Sequence, residues 1–238
     1  GTTNYILSKM SDEGSEFVVA LKEAQDCGYA EFDPSDDIDG MDTAYKVVLS
    51  SCKGFGILAN IQDIDIYGIR HISARDIAYA CKHGYVCKLI GSGVKSSSTV
   101  SGTVIPTFIP KQNIFATIPA NFNAIESDSK TLGKMTYVGQ GAGSYPTAHA
   151  VVQDLIDLVL HQDTEVSFGV SVCVDNKSRV SSFYVRSVNL NRMEEVIEER
   201  IDEDTCITKR ISFVELASVM KTLEDDAVFV AEVMHDCK

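Results

Sequence analysis

Gly28-Tyr-Ala-Glu-Phe-Asp-Pro-Ser-Asp-Asp-Ile-Asp-Gly-Met-Asp-Thr-Ala-Tyr-Lys46 is the stretch around which the rest of the sequence arranges itself. Pro34 fixes its own φ and pushes Asp33 out of the helical region, so Asp33-Pro34 opens a turn. Beyond Gly40, the residues Met41, Ala44, Val47, Val48 and Leu49 recur at helical spacing. They predict a helix from Met41 to about Ser51, with Asp36, Asp37 and Asp39 placed ahead of its positive end. Asp42 and Lys46 stand four apart on that helix and share one face, so the lysine carries its own counter-ion. A solvated, acid-capped helix start with an ordinary surface ion pair would use the same residue types.

The spacing of Ala24, Gly28, Glu31, Asp33-Pro34, Asp37-Ile38, Gly40, Asp42 and Lys46 resembles the signature of the homoserine dehydrogenase family at every fixed position. Gly1-Thr-Thr-Asn-Tyr-Ile-Leu7 resembles the start of that family's catalytic domain, and Gly139-Gln-Gly-Ala-Gly143 with Pro146-Thr147-Ala148 resembles its glycine loop. Together these cover roughly the first 160 residues. The resemblance implies NAD(P)-dependent interconversion of L-aspartate 4-semialdehyde and L-homoserine in threonine, methionine and isoleucine biosynthesis. It implies that Lys46 donates the proton, that Glu31 and Asp42 bind substrate, and that Gly28, Glu31 and Gly143 contact NADP or NAD. Gln140 stands where many members carry proline, which leaves the contact in place in a less rigid loop. Read alone, the loop is a weak signal: its spacing is not the three-glycine dinucleotide fingerprint, and a tight turn would use the same glycines. The family completes its cofactor site with an N-terminal Rossmann domain that also carries a second catalytic lysine. No such domain precedes Gly1, so the expectation is a fragment that is inactive by itself, and one that forms a homodimer through its sheet.

At 238 residues, 45% of them hydrophobic and 23% charged, the chain can bury a core of one or two domains. No apolar run approaches a membrane span, and the amino terminus lacks the basic and apolar segments of a signal peptide, so a cytoplasmic location is expected. The net charge of −13 excludes a nucleic-acid partner that needs a basic patch. Seven scattered cysteines and five histidines without ligand spacing suggest neither a disulfide framework nor a metal site. A stand-alone module that binds a regulatory amino acid, or a cation-binding acidic cluster, are the competing readings. The first has no use for Glu31, Asp42 and Lys46, and the second lacks calcium-loop spacing.

Outward from the signature, helices are predicted over Asn4–Met10, Glu16–Gln25, His71–Ala80 and Thr147–Leu160. Strands are predicted over Ile64–Ile69, Val86–Gly91, Ser98–Phe108, Phe115–Ile118 and Thr136–Val138, and Asn121–Ile125 resembles the family segment that leads towards the end of the domain. From residue 164 the rhythm changes. Strands at Val166–Val174, Ser182–Val188, Cys206–Ile211 and Val228–Met234 surround helices at Met193–Ile201 and Phe213–Leu223. The expected architecture is α+β. A mixed sheet covered by helices over 1–163 is followed by a small ferredoxin-like sandwich over 164–238, and this resembles an ACT domain with Asn189-Leu-Asn-Arg192 in place of its glycine turn. The acidic run over 194–199 reads as a solvated face.

Overall fold

A computed structural model describes residues 1–141, 143–160 and 172–235. Two amino-terminal helices, α1 (Thr2–Glu13) and α2 (Phe17–Asp26), are followed by the short α3 (Ser35–Ile38) and by α4 (Met41–Phe55), one turn longer than its periodicity predicts. Next come β1 (Ile64–Ile66), α5 (Ala74–Lys82), β2 (Tyr85–Lys95) and β3 (Thr99–Pro110). The hairpin β4 (Phe122–Ser129) and β5 (Gly133–Gln140) leads to α6 (Ser144–Val159). Beyond residue 171 lie β6 (Cys173–Val174), β7 (Val180–Arg186), β8 (Ile197–Arg200), β9 (Thr205–Thr208), β10 (Ile211–Ser212), α7 (Phe213–Leu223) and β11 (Phe229–Val233).

The long β3 is the rib of the mixed sheet. Its sequence is β-branched and aromatic, and from Gly102 to Thr107 and on to Pro110 it is buried on both faces, as a central strand should be. One edge pairs antiparallel with β2 from Tyr85↔Pro110 to Lys95↔Val100. The other edge takes three parallel strands end to end: β6 at Thr99–Val100, β1 at Gly102–Val104 and β11 at Thr107–Phe108. Asn176 seals the step between β6 and β1, accepting from Gly102 N at 2.9 Å and donating to Asp63 O at 3.0 Å. β11 then hands the sheet on to β7, β9 and β8.

Strands from both sides of residues 163/164 therefore share one sheet, and the cores do too. Ile6, Leu7, Met10, Ile77 and Phe108 pack with Tyr184, Phe229 and Ala231 on one face. On the other, Ile105 packs with Phe183, Phe213, Leu216 and Leu223 beneath α7. Helix α4 lies directly on β2 and β3, where Ala44, Val47 and Val104 form a third cluster. The approach is close because β2 is glycine there: a Cβ at Gly91 would stand 2.6 Å from Val47 Cγ2 and 2.8 Å from Thr43 Cγ2.

Two predicted elements change type. Phe115–Ile118 is not a strand but part of a 3₁₀ turn, Ile114–Thr117, because the Asn113 side chain accepts from Phe115 N at 2.9 Å and starts a turn that β-propensity does not register. Met193–Ile201 is not a helix. A 3₁₀ segment with a break at Met193 ends at Val196, and β8 follows, paired with β9. The predicted start of α5 moves to Ala74, where Ser73 and Asp76 form a reciprocal capping box. Of the strand predicted over Val166–Val174, the part before residue 172 lies outside the described residues, as does the 163/164 boundary.

Candidate active site

The signature stretch folds as a stapled loop that delivers α4. Gly28 takes φ 72° as α2 ends, and the chain reverses through Tyr29 N–H to Ala24 O at 2.8 Å. Gln25 then clamps the loop from behind, its amide donating to the carbonyls of Glu31 (3.0 Å) and Phe32 (3.2 Å). With its backbone held, the loop turns its side chains outward: Glu31 is exposed and Phe32 is 98% exposed. Glu31 forms no side-chain hydrogen bond or ion pair among the described residues, which leaves its carboxylate for a ligand.

Asp33 is structural. Its Oδ1 accepts from Ser35 N (3.1 Å) and Ser35 Oγ (2.7 Å), and these bonds hold its carboxyl below the usual range. Asp39 is gripped by both ends of the Arg70 guanidinium, Nε at 2.7 Å and Nη2 at 2.6 Å, which pins α3 to the segment after β1. Asp37 is half-buried, and burial first, with the charge of Asp42 behind it, pushes its carboxyl up, while the charge of Lys46 works against that.

The pair itself is formed as the i, i+4 spacing requires: Lys46 Nζ donates to Asp42 Oδ2 at 2.5 Å, and both side chains remain about half exposed. The amino terminus of α1 closes this corner. Thr2 Oγ donates to Tyr29 O at 2.6 Å, and the amino group of Gly1 lies in the field of Lys46, Asp37 and Asp42. The start of α1 thus links the loop after Gly28, through Tyr29, to the neighbourhood of Asp42 and Lys46, and Glu31, Asp42 and Lys46 all keep access to solvent. An ammonium with a carboxylate to aim it can give a proton, and a carboxylate without a partner can bind a cationic group.

Gly143 lies elsewhere in the chain path. It precedes α6, and its carbonyl accepts from Thr147 N (3.2 Å) and Thr147 Oγ (3.0 Å). A Cβ at Gly28 or Gly139 would meet nothing within 4 Å, and one at Gly143 only Pro146 Cδ at 3.8 Å. Gly141 of the same loop is close-packed, since a Cβ there would clash with Asn123 Nδ2. No hydrogen bond or ion pair among the described residues joins the glycine loop directly to Glu31, Asp42 or Lys46. Residues that sequence reasoning missed are Arg70, Thr2 and the pair Asn4–Lys88. Their partners lie 27 or more residues away, where no spacing rule reaches.

A model of the homoserine dehydrogenase family matches residues 1–156. Homoserine dehydrogenase from Synechocystis is 43% identical over 163 residues, 67% of this chain and 38% of the relative. Among solved structures, homoserine dehydrogenase from Thiobacillus denitrificans superposes with a TM-score of 0.80 at 28% identity, covering 98% of this chain and 62% of that one. A hyperthermophilic archaeal homoserine dehydrogenase mutant in complex with NADPH gives a TM-score of 0.52 at 30% identity over 67% of this chain and 45% of that one. The chain thus spans less than two fifths of the length of the Synechocystis relative.

Proposed function

Because the chain belongs to the homoserine dehydrogenase family, we propose that it supplies the substrate and proton-transfer side of a reductase that interconverts L-aspartate 4-semialdehyde and L-homoserine on the route to threonine, methionine and isoleucine. The observation that carries this reading is the Lys46–Asp42 pair at 2.5 Å on α4, with Glu31 exposed and unpartnered in the loop that leads to it. When bound, a reduced nicotinamide supplies the hydride, and the chain's own residues do the rest. Glu31 takes the α-ammonium of the substrate by a charge-assisted hydrogen bond. Asp42 orients substrate and aims Lys46, whose Nζ gives a proton to the former carbonyl oxygen as negative charge develops there, and takes it back in the reverse direction.

Gly28, Glu31 and Gly143 would hold the nicotinamide end of NADP or NAD. The NADPH complex of the archaeal relative supports a nicotinamide cofactor. These three positions reach only one end of a dinucleotide, so a dinucleotide-binding domain is the partner that completes the site. Residues 1–238 as an isolated polypeptide would then fold without turning over, since hydride transfer needs both reactants held together. The division at 163/164 is retained as one of role: a catalytic and dimerising part, then an ACT-like part built onto the same sheet. Homodimerisation through that sheet belongs to the same proposal.

The test is made with the dinucleotide-binding domain present, following NADPH absorbance with aspartate semialdehyde. Lys46→Ala should lower kcat by about 10²–10⁴ with a smaller change in KM, the range for one lost proton donor. Glu31→Ala should act mainly on substrate KM. Near wild-type turnover in Lys46→Ala would remove the lysine from proton transfer, and an unchanged KM in Glu31→Ala would remove the ammonium assignment.

A further inference from the structure

One turn of helix touches both halves of the proposed site. In the first turn of α1, Thr2 Oγ donates to Tyr29 O at 2.6 Å and so grips the start of the acidic loop. Two residues on, Asn4 reaches the other way. Its Nδ2 lies 3.1, 3.0 and 3.0 Å from the carbonyl oxygens of Ile118, Ala120 and Phe122, the segment that starts β4. Ala120 sits there at φ 46°, in the left-handed region, so this segment is bent against its preference and benefits from a donor that collects its carbonyls.

Behind Asn4 stands Lys88, a β2 side chain only 6% exposed. Its Nζ donates to Asn4 Oδ1 at 2.6 Å and to Ile118 O at 2.9 Å, and no carboxylate among the described residues pairs with it. A buried ammonium without a counter-ion is costly unless its protons are taken by oxygens, and burial indeed lowers its pKa to about 8. The arrangement fixes the Asn4 amide in one orientation: oxygen toward the lysine, nitrogen toward the three carbonyls. From that segment the connection to the glycine loop is short. Phe122 pairs with Gln140 across the hairpin, and Gly141 N donates to Asn121 O at 3.4 Å.

We propose that Asn4, backed by Lys88, is a positioning residue for the cofactor. The first turn of α1 sets the glycine loop at a fixed separation from the acidic loop and Lys46. This inference rests on the functional reading above, because it assigns the glycine loop to the nicotinamide.

Two variants test it. Lys88→Met removes the ammonium and keeps the length of the side chain. Asn4→Asp keeps an oxygen for Lys88, even as an ion pair, but replaces the donor aimed at the three carbonyls with a repelling oxygen, and it carries the test should Lys88→Met fail to fold. The first readout is amide deuterium exchange on residues 1–238. Losing about one net hydrogen bond should speed exchange in 119–123 and 139–141 about fivefold, with α4 unchanged. The second is NADPH affinity with the dinucleotide-binding domain present, expected to weaken by about fivefold or more. Unchanged exchange around Gly141 in folded variants overturns the proposal, and so does faster exchange with NADPH affinity intact. A wild-type assembly that binds no NADPH refutes the functional reading instead, while the exchange comparison still decides whether Asn4 holds the loop.

Discussion

Removing the Asp76 carboxylate is the severest single test of how the two ends of the chain are joined. Asp76 is fully buried in the first turn of α5, and five donors converge on it. Its Oδ2 accepts from Ser73 N (2.8 Å), Ser73 Oγ (2.7 Å) and Arg186 Nη2 (3.1 Å), and its Oδ1 from Tyr184 OH (2.8 Å) and Arg186 Nε (2.9 Å). Arg186 and Tyr184 belong to β7, so this one carboxylate fastens α5 to the carboxyl-terminal strands. Burial first, and then Asp76, pushes the Tyr184 phenol up, and it stays protonated as a donor. In Asp76→Ala the guanidinium, 17% exposed, keeps His71 O at 2.7 Å but loses its charge partner, and the capping box loses one member. Breaking a buried pair from one side costs about 3–5 kcal/mol. For a chain of this size each kcal/mol is worth about 2–4 °C, so the melting temperature should fall by roughly 6–20 °C. Urea unfolding of residues 1–238, followed by far-ultraviolet circular dichroism, measures the loss. Asp76→Ala combined with Arg186→Met should cost clearly less than the sum of the single changes, because the second removes the stranded charge. A loss under about 1 kcal/mol for Asp76→Ala, or strict additivity, would refute the reasoning.

Lys88 gives a pH dependence of definite sign. Its folded pKa of about 8 lies below the ordinary 10.5, so between those values the unfolded chain binds more protons and the lysine's contribution to stability rises with pH. Wild type minus Lys88→Met, measured by urea unfolding at pH 7.5 and pH 10, should therefore grow by an amount on the order of 2 kcal/mol, with Asp12 and Cys87 the neighbouring titratable groups, and a flat or falling difference would contradict the burial argument. The outer edge of β2 pairs with no described strand, so light scattering should report a dimer of residues 1–238, and a monomeric mass at high protein concentration would count against association through the sheet.

Much of the fold was legible wherever the deciding interaction was local. Helix α4 follows from its apolar period and the Lys46–Asp42 pair from a separation of four, and the helix predicted over Phe213–Leu223 is α7 to the residue. The signature loop could be read as a place for ligands, but its rigidity could not. The Gln25 clamp is an amide meeting two carbonyls in a particular turn, and Arg70 reaches Asp39 across 31 positions. Asn4 and Lys88 were invisible for the same reason: a polar residue near a helix start and a lysine in a strand are unremarkable until the fold brings them together 84 positions apart. The division of strands was misjudged for Met193–Ile201, whose apolar residues suit a helix but whose edge is claimed by β9. Sheet partnership is a non-local decision that periodicity does not contain.

The relay of three strands along one edge of β3 also dictates an order of events during synthesis. Its first edge closes early, since β2 has already been made when β3 emerges. The other edge waits: β1 is in hand, but the place of β11 at Thr107–Phe108 stays open until roughly 120 further residues have left the ribosome, which at about 5–20 residues per second is some 6–25 s. For that interval Phe108 and its neighbours face an unfilled position in a growing sheet, and any strand of suitable register could take it. The nascent chain is then most exposed to mispairing or to capture by chaperones, and a pause in translation between β3 and β11 would lower its yield without altering a single contact of the finished protein.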